Sequence, residues 1–154
     1  MKIDPDRVVL PPSEMLAGYS DEDLRELSGY GRFIVFNEKD VIIKEGREQN
    51  RLSFLIAGAL DVVHETDTGP VPVGAISEGE WFGEINIFDA DVASATVVAH
   101  TESQVWYISR SKLEEFLNDE PALGCQLILG AAEILAHRIR GVLAKLNATW
   151  ELSS

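Results

Sequence analysis

The residues best suited to chemistry in this 154-residue chain lie between Gly79 and Val98, in the run GEWFGEINIFDADVASATVV. Gly79 and Gly83 bracket Glu80-Trp81-Phe82, and Glu84 then opens a short apolar turn through Ile85, Asn86, Ile87 and Phe88. A Gly ahead of a helical turn leaves the first backbone N–H groups unblocked. Those groups lack intrahelical partners, so they form an anion site. The N–H groups of Gly83, Ile85 and Asn86 are the candidate cradle; the alternative is a tight turn linking two strands. Beyond the acidic loop Asp89-Ala90-Asp91-Val92 come Ala93-Ser94-Ala95-Thr96 and a β-branched run. Elsewhere the chemistry is sparse. His64, His100 and His137 share no metal-ligand spacing, so no metal site is expected. Cys125, in an apolar stretch, reads as a buried hydrophobe. Without a nucleophile–base pair or a P-loop, the chain is expected to be no enzyme and to hold no cofactor.

Phe82-Gly83-Glu84-Ile85-Asn86-Ile87 and Ala93-Ser94-Ala95-Thr96 resemble the two halves of the phosphate-binding cassette of the cyclic-nucleotide-binding domains, of the effector-domain type in the cyclic-AMP receptor protein family. That pattern runs F-G-E-(apolar)-A-(apolar), a short loop, then R-(S/T/A)-A-(S/T). Glu45-Gly46, Leu55-Ile56-Ala57-Gly58 and Glu78-Gly79-Glu80-Trp81-Phe82-Gly83 also look like the family's turns, and the match runs from Phe33 to Phe116. One position departs. Where the family has an arginine that clamps the cyclic phosphate, this chain has Ala93. A buried phosphate needs a cationic, preferably bidentate partner. Losing one partner of a buried charged pair costs roughly 2–5 kcal/mol, or about 30-fold to several thousand-fold in affinity. Arg138, Arg140 or His137 of the last helix are candidate replacement cations, or else only its solvated, dipole-favoured end. The resemblance implies that Glu84 accepts a hydrogen bond from the ribose 2′-OH; the residue alone equally fits an acid at its own helix N-terminus. Asn86 stands where a small Ala is usual, and is expected to intrude on the pocket.

Net charge is −13, which argues against nucleic-acid binding. Between Arg51 and Arg110 there is no Lys or Arg, while nine acids fall in that span. The anion site therefore lies in an acidic field. One cysteine fits a reducing compartment, and Met1-Lys2-Ile3-Asp4-Pro5 is no signal peptide, so a cytoplasmic protein is expected. The apolar stretch 122–136 is too short to span a membrane.

The elements that must position these residues follow in order. A single domain, 1–154, divides into an N-terminal arm and short helix (1–31), a β-roll (32–108) and C-terminal helices (109–150). Pro5, Pro11 and Pro12 mark the arm, Ser13–Tyr19 allows one helical turn, and Ser20 with Asp23 forms a capping box for a helix with Leu24 and Leu27 inward. From Phe33 the pattern becomes period two. Strands are expected at 33–36, 41–43, 52–56, 60–63, 71–76, 97–100 and 104–108. Ala57-Gly58-Ala59 reads as a hairpin turn joining two of them. Strands recurring at this spacing predict a mainly β fold with flanking α-helices: a jelly-roll-like β-barrel, or double-stranded β-helix, with a short N-terminal and a long C-terminal helix. Trp81 and Trp106 read as core; Trp150 as packed on the barrel or on a partner.

After Ile108, Arg110–Leu117 is a short helix capped at Ser109, and Pro121 starts a longer one that runs towards Asn147 or Trp150. Its stripe of Leu123, Leu127, Ala131, Ile134, Ile139, Val142 and Leu146 is widened by Ile128, Leu129, Leu135 and Leu143. Apolar on more than one face, it needs cover on more than one side. A homodimer through 121–147, or docking to another protein, supplies it. The chain ends soon after, so no DNA-binding domain is expected. Three readings of function follow. The chain is a stand-alone sensor or regulatory module of this family with cyclic-nucleotide binding weakened or lost; or a working cyclic-AMP or cyclic-GMP receptor with a replacement cation; or its pocket takes a neutral or cationic small molecule.

Overall fold

The structure, a computed structural model, describes residues 1–153. After the arm and a 3-10 turn at Glu14–Leu16 comes α1 (Asp21–Ser28), capped by Ser20: its side chain accepts from Asp23 N–H, and the Asp23 carboxylate accepts from Ser20 N–H. Ten strands follow, interrupted by one short helix: β1 (Arg32–Phe36), β2 (Val41–Ile43), β3 (Glu48–Gln49), β4 (Arg51–Ala57), β5 (Leu60–Thr66), β6 (Gly69–Ile76), β7 (Trp81–Phe82), α2 (Glu84–Phe88), β8 (Asp91–Val92), β9 (Thr96–Ala99) and β10 (Ser103–Ser109). The chain closes with α3 (Arg110–Asp119) and α4 (Pro121–Ser153). Ser109 caps α3 through Lys112 N–H.

The strands form two four-stranded antiparallel sheets, ordered β1-β10-β4-β7 and β2-β9-β5-β6, with β3 and β8 paired separately. The first sheet is covered on both sides, which is why β4 and β10 are buried along almost their whole length. Alternation sorts their side chains. Leu52, Phe54, Ile56, Trp106 and Ile108 face a core shared with Leu10, Leu16, Leu24, Leu27, Phe116, Leu127 and Ala131 of the helical layer. Leu55, Phe82 and Val105 face the second sheet, meeting Leu60, Ile76, Val97 and Ala99. The result is the expected jelly-roll-like, mainly β fold with flanking helices.

Two expectations are corrected. Residues 57–59 are not a hairpin: β4 pairs with β10 and β7, β5 with β6 and β9, so the chain crosses from one sheet to the other at Gly58. At φ 105° it turns a corner against Ser103, whose Oγ would lie 2.2 Å from an added Cβ. The hairpin is β5–β6, closed between Thr66 and Gly69. Cys125 is not buried but exposed, because only one side of α4 lies on the barrel. That side presents Leu127 and Ala131, while Leu129, Ile139, Val142, Leu143 and Leu146 are more than half exposed. At 33 residues α4 extends about 50 Å, past the position expected for its end. Trp150, expected on the barrel or on a partner, is 75% exposed and so is not packed on the barrel. No helix among the described residues is long and apolar enough to cross a membrane.

Candidate functional site

The cassette is built around Gly83. It adopts the left-handed conformation (φ 79°, ψ 13°) at the N-cap of α2, and an added Cβ would lie 2.4 Å from the Arg51 carbonyl oxygen. Only glycine fits such a close approach at positive φ. At the other end of α2, the Arg110 guanidinium donates Nη1–H to the Ile87 carbonyl at 2.9 Å and to Phe88 at 3.4 Å, satisfying carbonyls that a helix C-terminus leaves unpaired. Arg110 Nε also donates to Glu114, at 3.1 Å. Nothing local in the sequence marks Arg110 for this role, since its partners lie 22 and 23 residues away.

These anchors set α2 against a cavity of about 420 Å³ between the cassette, β5–β6 and α4. Its walls from Ile43, Val62, Val73, Ile76, Phe82 and Val97 are apolar; Gln49, Glu80, Glu84, Asn86, Ser94 and Arg138 supply polar groups. All seven expected cassette residues, Gly83, Glu84, Ile85, Asn86, Ala93, Ser94 and Ala95, line it. Ala93 is 4% exposed, and its backbone is fixed by N–H to Arg47 O (2.8 Å) and by Gly46 N–H to its carbonyl (2.9 Å). It places a methyl group in the wall and no charge.

Of the two candidate replacement cations, Arg138 lines the cavity and Arg140 does not. Arg138 reaches across from α4 to form an ion pair with Oε1 of Glu84 and donates to the Trp81 carbonyl at 3.1 Å. Glu84 is 1% exposed, and its second oxygen, Oε2, is buried without a partner. A buried carboxylate held by one arginine is strongly favoured over an unpaired one. The Arg138–Glu84 pair therefore fastens α4 to the cassette. Asn86 lines the cavity as expected, but its side chain is employed locally: Nδ2 donates to Asp91 O at 3.1 Å and Val92 O at 3.4 Å, tying down the acidic loop.

The histidines lie apart. His64 pairs with Glu45 and His100 with Asp61 (2.8 Å), both at the surface, and His137 is exposed and outside this cavity. Among the described residues no three His, Cys, Asp or Glu side chains gather to hold a metal.

Comparison with known proteins converges on one family. The profile of the cyclic nucleotide-binding domain matches residues 33–120. The cyclic-GMP-dependent protein kinase of Plasmodium berghei (strain Anka) is 28% identical over 92 residues, 60% of this chain and 10% of the kinase. The cAMP-activated global transcriptional regulator Vfr of Pseudomonas aeruginosa is 27% identical over 117 residues, 73% of this chain and 53% of the regulator. This chain thus spans a tenth of one relative and about half of the other. A cyclic nucleotide-binding domain from Methylobacillus flagellatus superposes with a TM-score of 0.76 at 22% identity, over 85% of this chain and 74% of that one, a likeness of fold. With its β-roll and its glycine-hinged cassette inside the residues that profile matches, the chain belongs to the cyclic nucleotide-binding domain family.

Proposed function

We propose that the chain is a non-catalytic regulatory module whose cavity binds cyclic AMP and cyclic GMP weakly or not at all. Its relatives carry those nucleotides in their names, and the backbone of the cassette is in place. The observation that carries the reading is the commitment of Arg138. Among the described residues it is the one Lys or Arg lining the cavity, and it is already paired with Glu84. Moving it onto a phosphate would leave a carboxylate that is 1% exposed without a partner. With the Arg138 side chain 46% exposed, breaking this pair costs about 2–3 kcal/mol, between the surface and buried limits, which offsets much of what a new phosphate contact would contribute. Replacement of the missing arginine by Arg138 is therefore self-limiting.

Two alternatives remain distinguishable. Arg138 could bridge Glu84 and a phosphate at once, giving a working receptor. The buried, unpartnered Oε2 of Glu84 favours the other: an uncharged ligand with a hydroxyl to donate, seated among the apolar walls. Titration calorimetry with cyclic AMP, cyclic GMP and adenosine separates them. The proposal expects silence from wild type towards the cyclic nucleotides and binding by Ala93→Arg. Micromolar wild-type binding that disappears in Arg138→Ala establishes the replacement cation instead. Adenosine binding as tight as cyclic AMP establishes the uncharged ligand.

The outer face of α4 completes the reading as a dimer interface with a second copy of this chain. Ala132, Leu135, Ile139, Val142 and Leu146 recur at alternating spacings of three and four, the seam of a coiled coil. Light scattering should give a dimer, and Ile139→Glu with Leu146→Glu a monomer; a monomeric wild type at tens of micromolar excludes this interface.

A further inference from the structure

We propose that the cleft between the turn after α1, the start of β4 and the first turn of α3 is an anion site that takes the phosphate end of a small phosphorylated molecule. The cleft has a volume of about 490 Å³, within the range of small-ligand sites. It shares no lining residue with the cassette cavity. Its charged lining residues, Arg32, Arg51 and Lys112, are all cations, in a chain that sets 26 acids against 13 Lys and Arg.

Strand register brings these groups together. β10 lies between β1 and β4, with Arg32 opposite Tyr107 and Arg51 opposite Ser109. Residues directly opposite each other project from the same face of a sheet, as do residues two apart on one strand. The four side chains therefore share one face, at the end of the sheet where α3 begins. The Arg51 guanidinium lies over the Tyr107 ring, 4.2 Å from its centre. That stacking holds the planar fork in one orientation. It also carries Arg51 towards β10, whose other flank bears Arg32.

The cations are available. Among the described residues neither Arg32 nor Arg51 is paired with a carboxylate. The acids of α3 are engaged: Glu114 with Arg110 at 3.1 Å, Glu115 with Lys112 at 2.8 Å, and Asp119 with the Tyr30 hydroxyl at 2.5 Å. Lys112 is thus a shared cation, and the two arginines carry most of the site. Ser109 and Ser111, which also line the cleft, have hydroxyls 3.2 Å apart. A bond between them uses one proton and leaves the other to donate.

This lining sets the ligand class. Guanidinium and ammonium groups only donate, and no carboxylate lines the cleft, so the ligand must be an anion rich in acceptor oxygens. Phosphate meets this need and matches an arginine fork bidentately. The net charge of −13 sets its size. Charges act over about 8 Å at physiological salt. A compact ligand in the cleft therefore meets mainly the three cations, whereas nucleic acid or an anionic membrane would also meet the acidic surface around them.

The test titrates pyrophosphate and inorganic phosphate into the 15N-labelled full chain at low salt, following the backbone amides of Gly31, Ser111 and Lys112. Acetate is the monoanion control, and vesicles of phosphatidylserine in phosphatidylcholine are the membrane control. The expected result is a saturable shift of all three amides, with pyrophosphate bound more tightly than phosphate. Acetate should bind at least tenfold more weakly than pyrophosphate, and the vesicles not at all. Arg51→Gln should weaken pyrophosphate at least tenfold, and Arg51→Lys, which keeps the charge and loses the fork, several-fold. Arg140→Gln removes the same charge outside the cleft and should change nothing. Arg32 and Arg51 are exposed, so their variants should stay folded, with wild-type amide spectra away from the cleft. No saturable shift in wild type at low salt overturns the proposal, and so do shifts centred on residues 83–95, which would put the anion in the cassette. Binding that survives Arg32→Gln combined with Arg51→Gln, an equal loss in Arg140→Gln, or vesicles bound more tightly than pyrophosphate overturns it as well.

Discussion

Removing Arg138 tests whether the closing helix is latched to the cassette by one ion pair. In wild type Arg138 holds Glu84 Oε1 and the Trp81 carbonyl. Arg138→Ala leaves Glu84 buried at 1% exposure with neither carboxylate oxygen satisfied. A fully buried pair broken on one side costs about 3–5 kcal/mol, and an exposed pair about 1 or less. The Arg138 side chain is 46% exposed, so solvent screens part of the interaction. An intermediate loss of about 2–3 kcal/mol follows. At roughly 2–4 °C per kcal/mol for a chain of this size, the melting temperature should fall by about 4–12 °C. Glu84→Gln removes the charge that needs compensation, so it should cost less, and the double variant should recover about half of the Arg138→Ala loss. Calorimetric or chemical unfolding of the four proteins completes the cycle. Hydrogen exchange should report faster opening of residues 131–150 in Arg138→Ala. A loss below about 0.5 kcal/mol, the range of ordinary surface changes, with unchanged exchange in α4, would refute the latch.

Three further outcomes follow from the geometry. Gly83→Ala forces a Cβ against the Arg51 carbonyl at 2.4 Å with φ at 79°, and should cost about 2–4 kcal/mol in denaturant unfolding. Asn86→Ala frees the Asp91 and Val92 carbonyls, and should cost about 1–2 kcal/mol with faster amide exchange across 89–92. The Tyr30 hydroxyl donates to Asp119 at 2.5 Å, and this bond, with a smaller contribution from burial, pushes its pKa up to about 12. Since the folded state favours the neutral phenol, the contact contributes below pH 10 and is lost as pH rises towards 12. Ultraviolet titration should show this tyrosine ionising late, and Asp119→Asn should bring it back towards 10.

What could be read from the sequence was what local chemistry determines. Gly46, Gly58, Gly79 and Gly83 all take positive φ, and each had been marked by its neighbours as a turn. The capping box at Ser20, the cap at Ser109 and the Pro121 helix start are equally local. The misreading at Gly58 shows the limit. A glycine corner looks the same whether the chain doubles back or crosses to another sheet, and the deciding partner, Ser103, is distant in sequence. The strands β3, β7 and β8 are two residues long each and carry no period to detect. Arg138 was legible as a candidate because the cassette lacked cations of its own, but its partner Glu84 lies 54 residues away. On α4 the apolar pattern runs round the helix, so only the packed structure shows Cys125 on the open side.

The fold of the cassette and its ligand chemistry are held by different residues, and so they separate. The cradle at α2 depends on Gly83 for its turn, on Arg110 for its C-terminal carbonyls and on Asn86 for the loop beyond it. None of these involves position 93, whose backbone hydrogen bonds to Arg47 and Gly46 any side chain could make. Alanine in place of arginine there would therefore remove a charge without removing the pocket. The remaining need is Glu84, a carboxylate whose burial requires a cation with or without a ligand. Arg138 meets that need from α4, which beyond Ala131 is largely exposed. In the proposed reading, a ligand that donates to the unpartnered Oε2 of Glu84 would leave the latch in place, and an anion that drew Arg138 off Oε1 would break it. In that reading, occupancy of this cavity would act on α4 at Arg138, between Leu135 and Ile139 of the proposed dimer seam.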